Sequence, residues 1–413
     1  MFNKKIYLYL IIWFISLAIV SLWTFENPDK IESIKNIYKK NKTPKIKIEE
    51  EIVNQIISNS FVVSFQKIIS ITNKTAFISY ESEDDVFSPE NLNIYTQNGF
   101  LISNKKVKKI QLPNTFTLQR NGGVKTIIQN QEKKFAFISN NKNKCFFASI
   151  VNLENSKELF KSKCLPDSKK KTDFNGLGAS NIHLDGYIYL SVGTPTQNSK
   201  LIYNLAQNDN SIFGKIIQIK KENFYDTLFK FKVFSKGHRN PQGLTRIDDK
   251  IFSVEHGPKG GDELNLIKDK NNYGWPQVSY GTRYMYDNDG ESYNISHENK
   301  NFTEPLFALV PSVGISSINV CPNVLKRYYN KKCLIALSLY GNSLRPGKSI
   351  LIFLLNNDTN MVHSIEKIYL GEEMKLRHFV TNTKNEIYED NNGNIFVSVD
   401  RKGIFKISFS NFR

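Results

Sequence analysis

Between Gly237 and Pro276 the chain crowds a guanidinium, two imidazoles, several amides and a set of carboxylates into about forty residues. The stretch runs Gly237-His-Arg-Asn-Pro-Gln-Gly-Leu244, then Glu255-His-Gly-Pro258, Gly261-Asp-Glu263 and Asn272-Tyr-Gly-Trp-Pro276. Its Gly and Pro residues fix unusual backbone geometry and leave carbonyls and N–H groups free to face a ligand, which is the composition of a loop-built site. Arg239 is one of nine Arg in a chain with forty-seven Lys. In so Lys-biased a composition, an Arg flanked by His238, Asn240 and Gln242 points to a need for the planar, forked donor set that Lys lacks.

Loops of this kind need a rigid support, and one short pattern recurs along the chain: a polar turn, then a strand alternating aromatic or aliphatic residues with Ser. It occurs at Asn73-Lys-Thr-Ala-Phe-Ile-Ser79, Lys133-Lys-Phe-Ala-Phe-Ile-Ser139, Asp185-Gly-Tyr-Ile-Tyr-Leu-Ser191, Asp249-Lys-Ile-Phe-Ser-Val254, Lys332-Cys-Leu-Ile-Ala-Leu-Ser338 and Asn392-Gly-Asn-Ile-Phe-Val-Ser398. Repeated multi-stranded units packed radially make a β-propeller, which removes sheet edges by closing a ring. The expectation is therefore an all-β, six-bladed β-propeller over residues 48–413. A stacked β-sandwich would explain the strands but not the six-fold recurrence. Helical periodicity is sparse, because Gly, Asn and β-branched residues interrupt it.

Ile6 to Trp23 form an apolar run broken only by Ser16 and Ser21, behind Lys4 and Lys5. At 1.5 Å per residue it falls just short of a ~30 Å hydrocarbon core, within reach once its flanks are counted. Residues 1–23 are read as a signal-anchor or transmembrane helix placing the chain in the inner membrane. A cleaved signal peptide is the competing reading, disfavoured by the lack of a clean small-x-small cleavage site. Residues 24–47 are polar and Lys-rich, and read as a tether. The four Cys form two sequence-local pairs, Cys145 with Cys164 and Cys321 with Cys333. An even count at spacings that fit no zinc pattern suggests two disulfides in an exported chain, with four unrelated buried thiols as the alternative. The net charge of +17 is scattered Lys without the aromatic-and-Arg pattern of a base-reading surface, so nucleic acid is not expected as a partner.

The loop region carries a specific resemblance. Glu255-His-Gly-Pro-Lys-Gly-Gly-Asp-Glu-Leu-Asn-Leu-Ile267 and Asn272-Tyr-Gly-Trp-Pro-Gln-Val-Ser-Tyr-Gly281 resemble the soluble quinoprotein glucose/sorbosone dehydrogenase family, and within it the aldose sugar dehydrogenase branch, which uses pyrroloquinoline quinone (PQQ). Weaker likenesses occur at Ala206-Gln207 with Gly214–Ile219, Pro311–Val313 and Lys375–Arg377. They extend the likeness from roughly Asn121 to Phe409.

The resemblance implies six blades, a periplasmic or extracellular location, PQQ and calcium as cofactors, and a sugar and an electron acceptor as partners. PQQ carries three carboxylates beside its ortho-quinone, so its pocket needs cations, amides and a hard metal ion. By resemblance, Arg239 and Asn240 meet the quinone, the carbonyls of Gly257 and Pro258 hold the cofactor-linked calcium, and Lys375 and Arg377 meet PQQ carboxylates. Glu263 with the carbonyl of Tyr273 matches a second calcium position, whereas a solvated pair at Asp262 and Glu263 is the plainer alternative.

The family reaction needs a His base, oriented by an Asp, to take the sugar hydroxyl proton as hydride leaves for the quinone. Here the base position falls on Asn175 and its partner on Thr194, and an amide is no base near neutral pH. A Lys that often lies near the cofactor is matched loosely by Tyr340, and His183 reads as a structural strand residue. Two functions follow: a PQQ- and calcium-dependent aldose dehydrogenase impaired at its base, or a non-catalytic propeller that binds a small ligand or protein partner. Asn175→His with Thr194→Asp is expected to raise sugar-dependent dye reduction.

Overall fold

The computed structural model describes residues 28–48, 54–58, 60–82, 87–166, 174–195, 200–226, 228–282, 297, 301–340 and 347–411. Among them the architecture is a six-bladed β-propeller built from six antiparallel sheets. Blade 1 comprises Thr75–Tyr80, Leu92–Thr96, Phe100–Ser103 and Lys106–Lys109, and blade 2 comprises Val124–Asn130, Lys133–Lys142, Cys145–Asn152 and Glu158–Lys161. Blade 3 comprises Asn181–Leu184, Tyr187–Val192, Lys215–Lys220 and Lys232–Lys236, and blade 4 comprises Pro241–Ile247, Lys250–Glu255, Asp262–Ile267 and Phe307–Leu309. Blade 5 comprises Ile315–Val320, Cys333–Ser338, Ser349–Leu355 and Val362–Tyr369. Blade 6 takes Leu376–Phe379, Ile395–Val399 and Gly403–Asn411 from the C-terminal part and Phe61–Ile71 from the N-terminal part.

That last pairing closes the ring. Ile404 lies opposite Ile69 and Phe409 opposite Val63, so the two ends of the fold share one sheet and neither is left as a bare edge. The first strand of each blade packs against the first strand of the next. Between blades 6 and 1 the hydroxyls of Ser398 and Thr75 are hydrogen-bonded at 2.9 Å.

The recurring Phe/Ile/Ala-Ser runs suit this arrangement because a mid-blade strand is covered on both faces by its neighbours. Cys333–Ser338 is buried throughout, and Phe135 to Asn140 form a continuous buried stretch. Their Ser residues pin the start of the blade. Ser139 Oγ accepts the Gly123 N–H at 2.6 Å, Ser191 Oγ accepts that of Ser180, and Ser398 Oγ accepts that of His378. Each leaves an otherwise orphaned amide satisfied in the interior. Five of the six repeats form the second strand of their blade, while Asn73–Ser79 forms the first strand of blade 1.

Neighbouring strands run antiparallel, so connections from a second to a third strand emerge on the same face as connections from one blade to the next. This mouth face carries residues 193–195, 200–214, 237–240, 256–261, 310–314 and 371–375.

Residues 1–27, which include the apolar run, lie outside the described residues. No described helix is long and apolar enough to cross a membrane. Most of the segment read as a tether is ordered. Pro28–Asn41 is a helix, and Ile46–Ile48 adds to the outer edge of blade 6 beside Ile69 to Ile71. The helix is tied to the loops of blade 1 by hydrogen bonds. Asn36 Oδ1 accepts the Leu118 N–H at 2.8 Å, Lys40 Nζ donates to Phe116 O at 3.0 Å, and the carbonyls of Lys39 and Lys42 accept from Asn98. Both expected disulfides are formed, Cys145 with Cys164 and Cys321 with Cys333, and no cysteine is free.

Candidate functional site

The site is assembled on the mouth face by blades 3 and 4. Gly237 turns the chain from one to the other at φ 79°, and a Cβ there would lie 2.2 Å from Asn272 Oδ1, so only Gly fits. The same turn receives the Trp275 N–H on its carbonyl and donates its own N–H to Ala206 O. Gln207 and Asn272 exchange side-chain hydrogen bonds, and Gln207 also donates to Trp275 O at 2.6 Å. Beneath them the buried amine of Lys215 donates to the carbonyls of Leu205, Ala206 and Phe213 at 2.8 to 2.9 Å. The scattered Ala206-Gln207, Gly214–Ile219 and Asn272–Pro276 stretches are thus one bonded network.

His238 is fully buried beneath the turn. Its ring sits between Ser235 Oγ at 2.9 Å and Glu255 Oε1 at 3.3 Å, and stacks on Tyr273 with centroids 4.7 Å apart. Glu255 Oε2 accepts the Arg239 N–H at 2.8 Å. His238 and Glu255 therefore act as a buried bracket that sets the direction of Arg239. Above it, Arg239 Nη1 donates to His256 O at 2.9 Å and Gly257 O at 2.5 Å, and its guanidinium lies 5.3 Å from the Trp275 ring centre.

Asn240 joins this corner to the neighbouring blade connection. Its Oδ1 accepts the Gly178 N–H at 3.0 Å and Gln242 Nε2 at 2.7 Å, and its Nδ2 lies 3.3 Å from His256 Nδ1. The His256 imidazole is buried, with its Nε2 turned into the interior. Burial, with Arg239 and Arg377 nearby, holds that imidazole below its ordinary value, so it is neutral at pH 7.

Asn175 sits exposed in the short turn Phe174–Gly176. The turn abuts the loop of Thr194: Gly193 donates its N–H to Gly178 O, and a Cβ on Gly193 would lie 2.0 Å from Gly176 O. Thr194 is buried, its N–H donating to Arg239 O at 2.7 Å and its hydroxyl to His238 O at 2.9 Å. The structure thus brings Asn175, Thr194, Arg239, Asn240, Gly257 and Pro258 to one corner. Glu263 and Tyr273 lie on its inner side.

The solvated-pair alternative for Asp262 and Glu263 does not hold, since both are buried. Asp262 Oδ2 accepts the N–H groups of Val313, Gly314 and Ile315, and Oδ1 accepts that of Gly257. A single carboxylate thereby ties the 257–261 loop to the connection into blade 5. Asn265 Nδ2 donates to both Glu255 and Glu263, and burial together with the charge of Glu255 holds the Glu263 carboxyl well above the usual range. Two adjacent buried carboxylates favour taking up a proton or a cation. Among the described residues no group of three or more His, Cys, Asp or Glu side chains is placed to hold a metal.

Lys375 is exposed, whereas Arg377 is engaged by a bidentate pair with Asp400, Nη2 to Oδ2 at 2.5 Å. Lys74 belongs to the same group, its amine held below the ordinary range by burial first and by Arg377 next. Nothing in the sequence distinguishes Lys74 from the other forty-six lysines; only ring closure brings it beside blade 6. Tyr340 is exposed beside Gly314. His183 lies in strand Asn181–Leu184, away from the corner, its imidazole lowered to about 4 by burial and Lys221.

A propeller whose connecting loops converge a bracketed guanidinium, amides and buried carboxylates defines a ligand-binding propeller of the quinoprotein type. The chain belongs to the glucose/sorbosone dehydrogenase family, whose model matches residues 116–403. It is 28% identical over 109 residues to aldose sugar dehydrogenase YliI of Escherichia coli K12, which covers 24% of this chain and 28% of that protein. It is 48% identical over 99 residues to quinoprotein glucose dehydrogenase B of Acinetobacter calcoaceticus, covering 22% of this chain and 21% of that protein. These matches, with a third to an uncharacterized Synechocystis protein, span 21% to 30% of the relatives' own lengths. Among solved structures, the apo soluble aldose sugar dehydrogenase of Escherichia coli superposes with TM-score 0.60 at 16% identity, over 86% of this chain and 99% of that one. The PQQ-bound aldose sugar dehydrogenase of Streptomyces coelicolor gives 0.51 at 14%, over 89% and 98%. At such identity these likenesses speak for the fold alone.

Proposed function

We propose that this protein oxidises an aldose sugar or related alcohol with PQQ as electron acceptor, slowly, outside the cytoplasm. The observation that carries the reading is the Arg239 corner: a half-buried guanidinium whose main chain is fixed by Glu255 and which is backed by Trp275, beside Asn240 and the buried imidazole of His256. Such a corner fits an anionic, planar group rich in acceptors. Lys74, Lys375 and Arg377 supply further positive charge for carboxylates, with Arg377 shared with Asp400.

When bound, PQQ would take up the hydride released from the sugar carbon. The chain's own part is to hold ring and sugar in register and to receive the hydroxyl proton. Asn175, at the family's base position, cannot receive it, and Thr194 carries no charge with which to orient a base. Calcium is part of the same proposal. Glu263 beside Glu255 is a donor set that suits a cation, and the carbonyls of Gly257 and Pro258 would face the cofactor, although Arg239 already engages that of Gly257.

Two disulfides fit an oxidising compartment, and the apolar run from Ile6 to Trp23 would tether the propeller to the inner membrane. An electron acceptor would complete the cycle. The alternative is a non-catalytic propeller that binds a small ligand or protein partner, favoured by the loss of both members of the base pair at Asn175 and Thr194. Dye reduction by PQQ- and calcium-loaded protein, assayed over a panel of aldoses, separates the two. Slow sugar-dependent turnover is expected; saturable PQQ binding with no sugar-dependent reduction would favour the binding propeller.

A further inference from the structure

The N-terminal helix lies on the same face as the site. Its contacts fall on Asn98, in the loop joining the second and third strands of blade 1, and on Phe116 and Leu118, in the connection from blade 1 to blade 2. Both emerge on the mouth face, as do the loops that carry Arg239 and His256. The helix also packs against Gln119–Asn121, which in turn adjoins the Phe174–Gly176 turn bearing Asn175. It therefore flanks the site at the blade 1–2 side of the rim.

Two further observations show what this helix meets. Only Thr24 to Asn27 separate it from the apolar run, a link that reaches at most about 14 Å. The helix also leaves Ile37 and Tyr38 exposed, 60% and 69%, between the exposed Lys35 and Lys39. An aliphatic and an amphipathic aromatic side chain flanked by lysines is the composition of a surface that settles at the lipid headgroup level. An anchored chain with so short a link cannot present the opposite face to the bilayer without pulling the helix from its hydrogen bonds.

We infer that the mouth face of the propeller lies against the membrane surface, with Ile37 and Tyr38 seated among the headgroups. This rests on the reading of residues 6–23 as a membrane anchor. It places the site rim within reach of an electron acceptor carried in the bilayer, while the far face, with the turns at Glu132 and Asp185, looks away from it.

The full chain, reconstituted in nanodiscs carrying headgroup-nitroxide lipids, tests the assignment with no cofactor present. A fluorophore is attached at Asn114→Cys on the mouth face or at Glu132→Cys on the far face, both exposed and with all native cysteines paired. Quenching several-fold stronger at position 114 is expected. Equal quenching, or stronger quenching at 132, would overturn the orientation while leaving the anchor intact. Failure to enter nanodiscs would overturn the anchor reading and the orientation together. Ile37→Ser with Tyr38→Ser should at least halve the quenching at 114 while the chain stays membrane-bound, and unchanged quenching would contradict the seating of this helix.

Discussion

The hydroxyl of Thr194 donates to the main-chain carbonyl of His238 at 2.9 Å and so braces the turn that aims Arg239. The proposed function sets Thr194 at the position of the family's Asp, where a carboxylate would replace this donor. An Asp at 194 would set its oxygen against the His238 carbonyl, losing one buried hydrogen bond and adding a repulsion, at a cost of about 1–3 kcal/mol.

The two substitutions that would rebuild the base pair are therefore separable. Asn175 is exposed, so Asn175→His is expected to raise sugar-dependent dye reduction within the ~10²–10⁴-fold span that a general base supplies. Thr194→Asp alone should lower the melting temperature, and the double variant should gain less than the single one. A folded, PQQ-loaded Asn175→His protein with unchanged turnover would place the base elsewhere.

Asp262 bears on stability more than on chemistry. Its carboxylate accepts four main-chain N–H groups from two loops, and Asp262→Asn removes the charge and turns a donor toward them. A loss of about 3 kcal/mol in urea unfolding is expected. PQQ affinity should fall with it, because the 257–261 loop loses its tie.

Lys215→Met would leave the carbonyls of Leu205, Ala206 and Phe213 without their donor in the interior. A loss of about 3 kcal/mol is expected, again by denaturant titration, with the site loops through Gln207 and Trp275 loosened. Lys215→Arg should not rescue it, since a planar fork cannot meet three carbonyls arranged around a tetrahedral amine.

How much of this was legible beforehand depended on the kind of contact. The blade strands were readable because a strand covered on both faces needs runs such as Phe135-Ala-Phe-Ile138, and those stand out in a Lys- and Asn-rich chain. The pattern did not say which strand of a blade each copy forms: Thr75–Tyr80 carries it as a first strand, while Leu92–Thr96, the second strand of that blade, lacks the terminal Ser. The helix Pro28–Asn41 was missed although Ile31, Ile34 and Tyr38 stand at helical spacing, because that short period is set among Lys and Asn residues that read as a polar tether. In the site, the Arg239 corner was visible in the motif. The role of Asp262 was not, because its partners lie about fifty residues on, and the pairing of Arg377 with Asp400 depends on neighbouring strands of blade 6.

Acid should weaken the fold. Burial lowers His183 to about 4 and His378 to about 3, against an ordinary value of 6.5 that each recovers on unfolding. Each neutral imidazole therefore contributes stability that is fully present above pH 6.5 and is lost as pH falls toward those values, on the order of 2–3 kcal/mol apiece by pH 4. The melting temperature should drop steadily between pH 6.5 and 4, and His183→Gln should flatten part of that slope. A melting temperature constant over that range would contradict the burial of both rings.

The central claim is that the Arg239 corner holds PQQ, and a titration tests it directly. The anchor-deleted protein, with Arg239→Lys beside it, is titrated with PQQ at fixed calcium and again with chelator, following quinone absorbance and melting temperature. Calcium-dependent saturation with a raised melting point, and at least tenfold weaker binding for Arg239→Lys, is the predicted result. No saturable binding by the folded, unsubstituted protein, or equal binding by both, would contradict it.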